Sequence, residues 1–344
     1  MGPHRHNGLF GAVFIPVEET AVAMFKYVLK RVGLLIVTFV VSSVISFTMI
    51  RLLMPEFEVK QGGMEMTIEV ARRAALGYDR PIIVQLWRYA KGIFLEGDFG
   101  VSWNINHMMD VTEIIGRRLP PTILLSVYSM IVSVPLGIML GIWAAIKKNK
   151  PTDHIISVGV MLFISVPSFV VAFFMQYLLG FRLGLFPIVV SSLFEAGGSW
   201  FSSTMTHSMV MPVFALAFGS IAGLARMTRA ELTESLTSDY MLLARTKGLT
   251  RASAIRRHAL RNAMVPIFPG LLVSFLFIFG GSIIIEQIFS VGGMGPLTLQ
   301  AINTLDYDVF IAATMFYLAI GLTAGIISDL SLGFIDPRIR MGER

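Results

Sequence analysis

The sequence predicts an all-α membrane protein with six transmembrane helices, and three observations carry that expectation. The 344 residues are 55% hydrophobic and only 15% charged, with a mean hydropathy of +0.72, which is too apolar for an ordinary water-soluble domain. Six uncharged stretches are long enough to cross about 30 Å of hydrocarbon. Lysine and arginine gather in alternate loops, as they do when one side of a membrane retains the positive charge.

The first stretch runs from Val32 to Ile50, with Lys26, Lys30 and Arg31 before it and Arg51 after it, so the N-terminus is expected on the cytoplasmic side. The others are Leu119 to Ile146, Ile155 to Phe181, Ser208 to Ala225, Ala263 to Ile285 and Val309 to Ser328. Six crossings return the C-terminus to the cytoplasm. Lys147, Lys148 and Lys150, the basic residues between 226 and 261, and Arg338, Arg340 and Arg344 then share that side. The expected divisions are a cytoplasmic extension over 1–26, a first transmembrane helix over 27–53, an external insert over 54–118, a five-helix core over 119–335 and a cytoplasmic tail over 336–344.

The extension begins with Gly, Pro and His, and its apolar run from Leu9 to Val17 is too short to span. In the insert, residues 68–76 and 82–93 have helix-forming composition and are separated by Gly77-Tyr78-Asp79-Arg80-Pro81. Its charges do not overturn the topology, because long loops translocate regardless of charge. Prolines punctuate the spans at 135, 167, 212, 266 and 269, each able to bend a helix. Gly137, Gly141, Ala144 and Ala145 are placed for close helix packing. Glu286 and Asp329 stand at span ends, where a carboxylate needs a partner; a structural cap is expected for Glu286, and an ion pair with Arg226 or Arg229 for Asp329.

The most informative stretch is Ser238 to Pro266, a basic island between two apolar segments. It carries Arg245, Lys247, Arg251, Arg256, Arg257 and Arg261, with Arg229 just upstream. Met241, Leu242, Ala244, Leu249, Ala252, Ile255 and Ala259 recur at helical spacing around Gly248, predicting two short amphipathic helices joined by a turn. An apolar face exposed to water calls for a partner.

Several function classes are disfavoured by the residues. Cysteine is absent, which removes disulfides and thiolate metal sites, and the six histidines form no metal motif. No cofactor is expected. The pI near 9.6 reflects cations spread over several loops, which membrane topology explains more simply than nucleic acid does. No nucleophile stands in a recognisable pattern with a histidine and a carboxylate, and no Gly-Lys dipeptide of a phosphate loop occurs. Catalysis, including ATP hydrolysis, is therefore not expected of this chain.

Asp239-Tyr240, Ala244-Arg245-Thr246-Lys247-Gly248-Leu249 and Arg257-His258-Ala259-Leu260-Arg261-Asn262-Ala263 with Pro266 resemble the coupling loop of oligopeptide/dipeptide-type permeases of ABC importers. The resemblance continues through Gly281-Ser282, Glu286, Phe289, Gly293, Gly295, Asp306 and Asp329 to Asp336-Pro337-Arg338. It departs at Met54-Pro55-Glu56-Phe57, where the family usually has Pro-Gly-Asp-Pro, and at Gly292-Gly293-Met294-Gly295, where Pro-Gly-Leu-Gly is common. It implies a type I ABC importer permease fold and a 226–262 loop that couples to an ATPase through Asp239, Tyr240, Ala244, Arg245, Lys247, Gly248 and Leu249. Ser165, Pro167 and Phe169 resemble a kink near the translocation pathway, and Glu286 is a further candidate for pathway or gating. The implied partners are a second homologous permease, two cytoplasmic ATPases and an extracytoplasmic substrate-binding protein in a prokaryotic inner membrane. Peptide is the family's default solute, beside oligosaccharides and nickel complexes. The alternative is an ATP-independent secondary transporter or channel, for which charges buried in mid-span would be expected.

Overall fold

The computed structural model describes residues 17–52, 77 and 80–335, with side chains from 28 to 331 within those ranges. The expected helix over 68–76, the start of the extension and the 336–344 tail lie outside the described residues. Helix α1 (Val17–Leu52) begins upstream of Lys26, because the Glu- and Ala-containing run before the span is itself a good helix former. Helix α2 (Ile82–Lys91) follows Pro81 and continues as a wider π-helical turn over Gly92–Glu96. A two-residue hairpin then pairs β1 (Val101–Ser102) with β2 (Met109–Asp110), Val101 lying opposite Asp110.

Helix α3 (Val111–Ile146) runs without a break through Pro120, Pro121 and Pro135. It starts before the expected span at Leu119, because Glu113, Arg117 and Arg118 mark where hydrocarbon ends and not where hydrogen bonding ends. Helices α4 (Pro151–Ser165) and α5 (Ser168–Met175), the latter extended to Arg182, meet at 96° around Pro167. Helix α6 (Ser203–Leu236) carries the fourth span past Arg226 and Arg229 to the edge of the basic island. Next come α7 (Asp239–Thr246), α8 (Arg251–Ala254) and α9 (Leu260–Ala263), the last two joined by a π-helical turn. The segment 251–263 meets α10 (Ile267–Leu276) and its 3-10 continuation to Phe279 at 57° around Pro266. Helices α11 (Ile283–Ile288), α12 (Met294–Asn303) and α13 (Tyr307–Ile335) complete the described chain.

Among the described residues, helices α1, α3, α6 and α13 are each long and apolar enough to cross a membrane, and counting each bent pair as one span gives up to six. The fifth span differs from expectation: its helix stops at Phe279, and Gly280-Gly281 separates it from α11.

Lipid is as apolar as leucine, so helices in it associate by close contact more than by water exclusion. The α3–α6 contact shows this. A Cβ on Gly141 would lie 2.5 Å from Thr228 Cβ and 2.7 Å from the Ala225 carbonyl oxygen, and one on Gly137 would lie 2.7 Å from Leu224 Cβ. Ala144 and Ala145 are buried one turn further on, so this small-residue stripe is a packing seam.

Candidate functional site: a basic helical loop and a buried clamp

The two ends of this seam carry different structures. At the basic end, α7 closes with two backbone hydrogen bonds: the N–H of Gly248 donates to Arg245 O at 3.0 Å, and that of Leu249 to Ala244 O at 3.2 Å. Gly248 has φ +87°, a left-handed conformation open to glycine at little cost, and this pair of bonds is the Schellman closure of a helix. Thr250 starts the next helix by accepting from Ser253 N at 3.3 Å. The two-helix reading with its turn at Gly248 therefore corresponds to the structure.

The orientation of the helices corrects the expected apolar face. Met241, Ala244, Ala254, Ile255 and Ala259 are buried, and with Leu249 they pack against Ala145 of α3 and Leu232 of α6. The face still open consists of Leu242 and Leu243, 65% and 55% exposed, with Tyr240 beside them. Asp239, Arg245 and Lys247 are exposed as well.

Ser235 pins this arrangement to α6: its hydroxyl donates to Ala259 O at 2.8 Å and lies 2.5 Å from the Tyr240 hydroxyl. Burial pushes the Tyr240 phenol up, but hydrogen bonds with Ser235, Ser238 and Asn262 outweigh it and leave the group below its usual value. Just above, Arg229 grips Asp153 through two hydrogen bonds, Nε to Oδ1 at 2.6 Å and Nη2 to Oδ2 at 2.8 Å. Asp153 also accepts from Asn149 N, so the turn before α4 is tied to α6. Arg229 is thus not the partner of Asp329. That carboxylate pairs with Arg31 of α1 at 3.0 Å, because packing puts α1 beside α13.

The bend at Pro167 has a plain local cause. Proline has no N–H to donate to the preceding turn, and Ser165 turns its hydroxyl back to Met161 O at 2.8 Å. Residues 161–170, including Ser165, Pro167 and Phe169, are exposed in the isolated chain.

At the opposite end Glu286 is fully buried. Its carboxylate accepts from Ser282 N at 3.2 Å and from Gly295 N at 3.0 Å, joining both ends of the 282–295 turn. Thr122 of α3 accepts from Met294 N at 2.8 Å, which fixes that turn to the seam helix. A Cβ on Gly293 would collide with Thr122 Oγ1 and the Glu286 carboxylate, and one on Gly295 would lie 2.6 Å from Ile283 Cα. The expected cap is the arrangement found.

Two neighbouring carboxylates escaped the reading of the residues. One oxygen of Asp306 accepts from the Ser102 hydroxyl and from the N–H groups of Trp103, Asn104 and Ile105, at 2.6 to 3.1 Å. Asp308 forms a buried ion pair with Arg51 at 3.0 Å. Only the resemblance pointed to Asp306, because its partners lie about two hundred residues away in the chain. Among the described residues no group of histidines and carboxylates could hold a metal ion.

Comparison with known proteins adds to this geometry. Residues 137–341 match the family described as binding-protein-dependent transport system inner membrane component, and residues 24–126 match its N-terminal counterpart. The chain is 34% identical to the dipeptide transport system permease protein DppB of Lactococcus lactis, covering 92% of this chain and 100% of that one. It is 32% identical to the glutathione transport system permease protein GsiC of Salmonella paratyphi A, covering 92% of this chain and 99% of that one. An inward-facing structure of the MetNI methionine ABC transporter, 15% identical, matches with a TM-score of 0.51 over 65% of this chain and 97% of that one. The expected type I ABC importer permease fold is borne out by the family match and by that likeness of fold. The protein is a multi-pass permease component, and the chain belongs to the family of binding-protein-dependent transport system inner membrane components.

Proposed function

We propose that this chain forms half of the translocation pathway of an ATP-driven importer for peptides or similar small oligomeric solutes. A second homologous permease completes the pathway, two separate ATPases drive it, and an extracytoplasmic substrate-binding protein delivers the solute. The observation that carries this reading is the α7 to α9 loop. One face is packed on the ends of α3 and α6, while Leu242 and Leu243 remain open on the other. A lever of this kind suits a rigid-body switch: a partner that grips the open leucines moves the seam helices with them. The peptide assignment rests on the names of the relatives.

In this reading the basic loop and both termini face the cytoplasm of a prokaryotic cell, and residues 90 and 195 face outward. Asp239, Tyr240, Arg245 and Lys247 surround the contact, and Gly248 sets its angle. The exposed bend at Ser165, Pro167 and Phe169 faces the pathway. Glu286 acts on the gate indirectly, by holding the turn at its mouth. Single cysteines at 149, 195, 250 and 342 of the naturally Cys-free chain test the topology with an impermeant thiol reagent in intact cells. Labelling at 195 but not at 149, 250 and 342 is expected; labelling of 250 without 195 overturns the orientation. A cysteine at Leu243 should cross-link to the ATPase in the assembled importer, and no cross-link there would remove the proposed contact.

A further inference from the structure

A groove of about 630 Å³ opens between α1, α2, the start of α3 and α13. Phe39 and Val44 of α1, Leu86 of α2 and Met315 of α13 are among its walls, and its polar lining is slight. Voids of this size do not persist in packed protein interiors. Water is a poor filler, because each buried water needs two to four polar partners. The Ser43 hydroxyl lines the groove, nine-tenths buried and without a hydrogen-bond partner among the described residues.

Helix α2 shows what fits. Its inner side, through Leu86, Tyr89 and the following Ile93, packs against Phe47 of α1 and Ile311 and Met315 of α13. Yet Ile83, Trp87 and Phe94, all lining the groove mouth, are 72% to 74% exposed. Lys91 falls one helical turn after Trp87 on that same side, whereas Arg88 turns away from the groove and lays its guanidinium against Gly77. The helix has no acidic residue; Glu96 and Asp98 come only after its end. Apolar side chains around a tryptophan with a cation alongside are the pattern of a helix lying in a membrane interface.

We propose that this groove seats one acyl chain of a phospholipid from the outer leaflet, with the lipid phosphate held by Lys91. The leaflet follows from the orientation proposed above; the lipid chemistry follows from the groove itself. Hydrocarbon satisfies the apolar walls and the Lys91 ammonium complements the phosphate. The lipid would thereby fill the space between the first and last spans and fix α2 to both.

The test uses the assembled importer in nanodiscs of phosphatidylethanolamine and phosphatidylglycerol, doped with a phosphatidylglycerol that bears a diazirine on one acyl chain. Adducts mapped by mass spectrometry are expected at Phe39, Leu86 and Met315, in excess over Val158 and Met161, which are exposed apolar residues of α4. Filling the groove with Ala319→Phe, or independently with Ala90→Phe, should reduce the groove adducts about tenfold and leave the α4 adducts unchanged. Lys91→Glu should reduce them about fivefold. Equal labelling of groove and α4, or groove labelling indifferent to both fillings, overturns the proposal. So does a photoreactive side chain at Phe39 that captures the second permease or residues 53–76 in place of lipid. ATP-dependent uptake in the same particles separates the two readings, since loss of the lipid adducts leaves the permease assignment standing.

Discussion

The two ends of the α3–α6 seam use glycine for opposite purposes. At the Glu286 end the donors meet acceptors and there is no room, since a Cβ on Gly293 or Gly295 would overlap side chain or backbone. At the basic end Gly248 has nothing within 4 Å of where a Cβ would stand, and it is glycine for its positive φ alone. The first end is complete within one chain. The second keeps a fixed backbone but leaves Leu242 and Leu243 open, as a surface awaiting a partner does. A site built to hold itself and a site built to be held differ in this way, and substitutions should divide accordingly.

The largest effect is expected from Gly293→Val, which forces the turn away from Thr122 and Glu286. Little folded protein should survive detergent extraction, as read by monodisperse yield. A wild-type yield would mean that the clamp is loose.

Glu286→Ala should come next, because it leaves the buried Gly295 N–H without its acceptor at about 1–3 kcal/mol and the half-buried Ser282 N–H as well. A lowered melting temperature in detergent should report it, and Glu286→Gln, which keeps an acceptor oxygen, should recover part of the loss. If Glu286→Ala melted like the wild type but stopped uptake, the carboxylate would serve transport directly and not the clamp.

Gly248→Val reverses the pattern. Its conformational cost is local, about 1–2 kcal/mol for a side chain in a left-handed backbone, so insertion and melting should change little. Uptake and substrate-stimulated ATPase activity of the reconstituted complex should nonetheless be lost, because the angle between α7 and α8 positions the open leucines. Wild-type activity would show that this loop does not couple. The smallest effect is expected of Arg245→Ala, an exposed cation whose pairing with a partner's acid is worth about 0–1 kcal/mol. Its reduction of coupled ATPase activity should be partial and should fade as salt is raised.

The sequence by itself determined the spans, the breaks at Pro167 and Pro266 and the turn at Gly248. Each is a local property: uncharged length measured against hydrocarbon thickness, a missing N–H, or a φ that favours glycine. The same local view misplaced helix ends, since charge marks the membrane boundary while α3 and α6 continue past it as helix. Only the tertiary structure decided which face of α7 stays open, because Met241 and Ala244 are distinguished from Leu242 and Leu243 by where α3 and α6 end. It also decided the polar pairings. Asp153 meets Arg229 across 76 positions and Thr122 meets Met294 across 172, so charge sign allowed several partners and helix packing selected one.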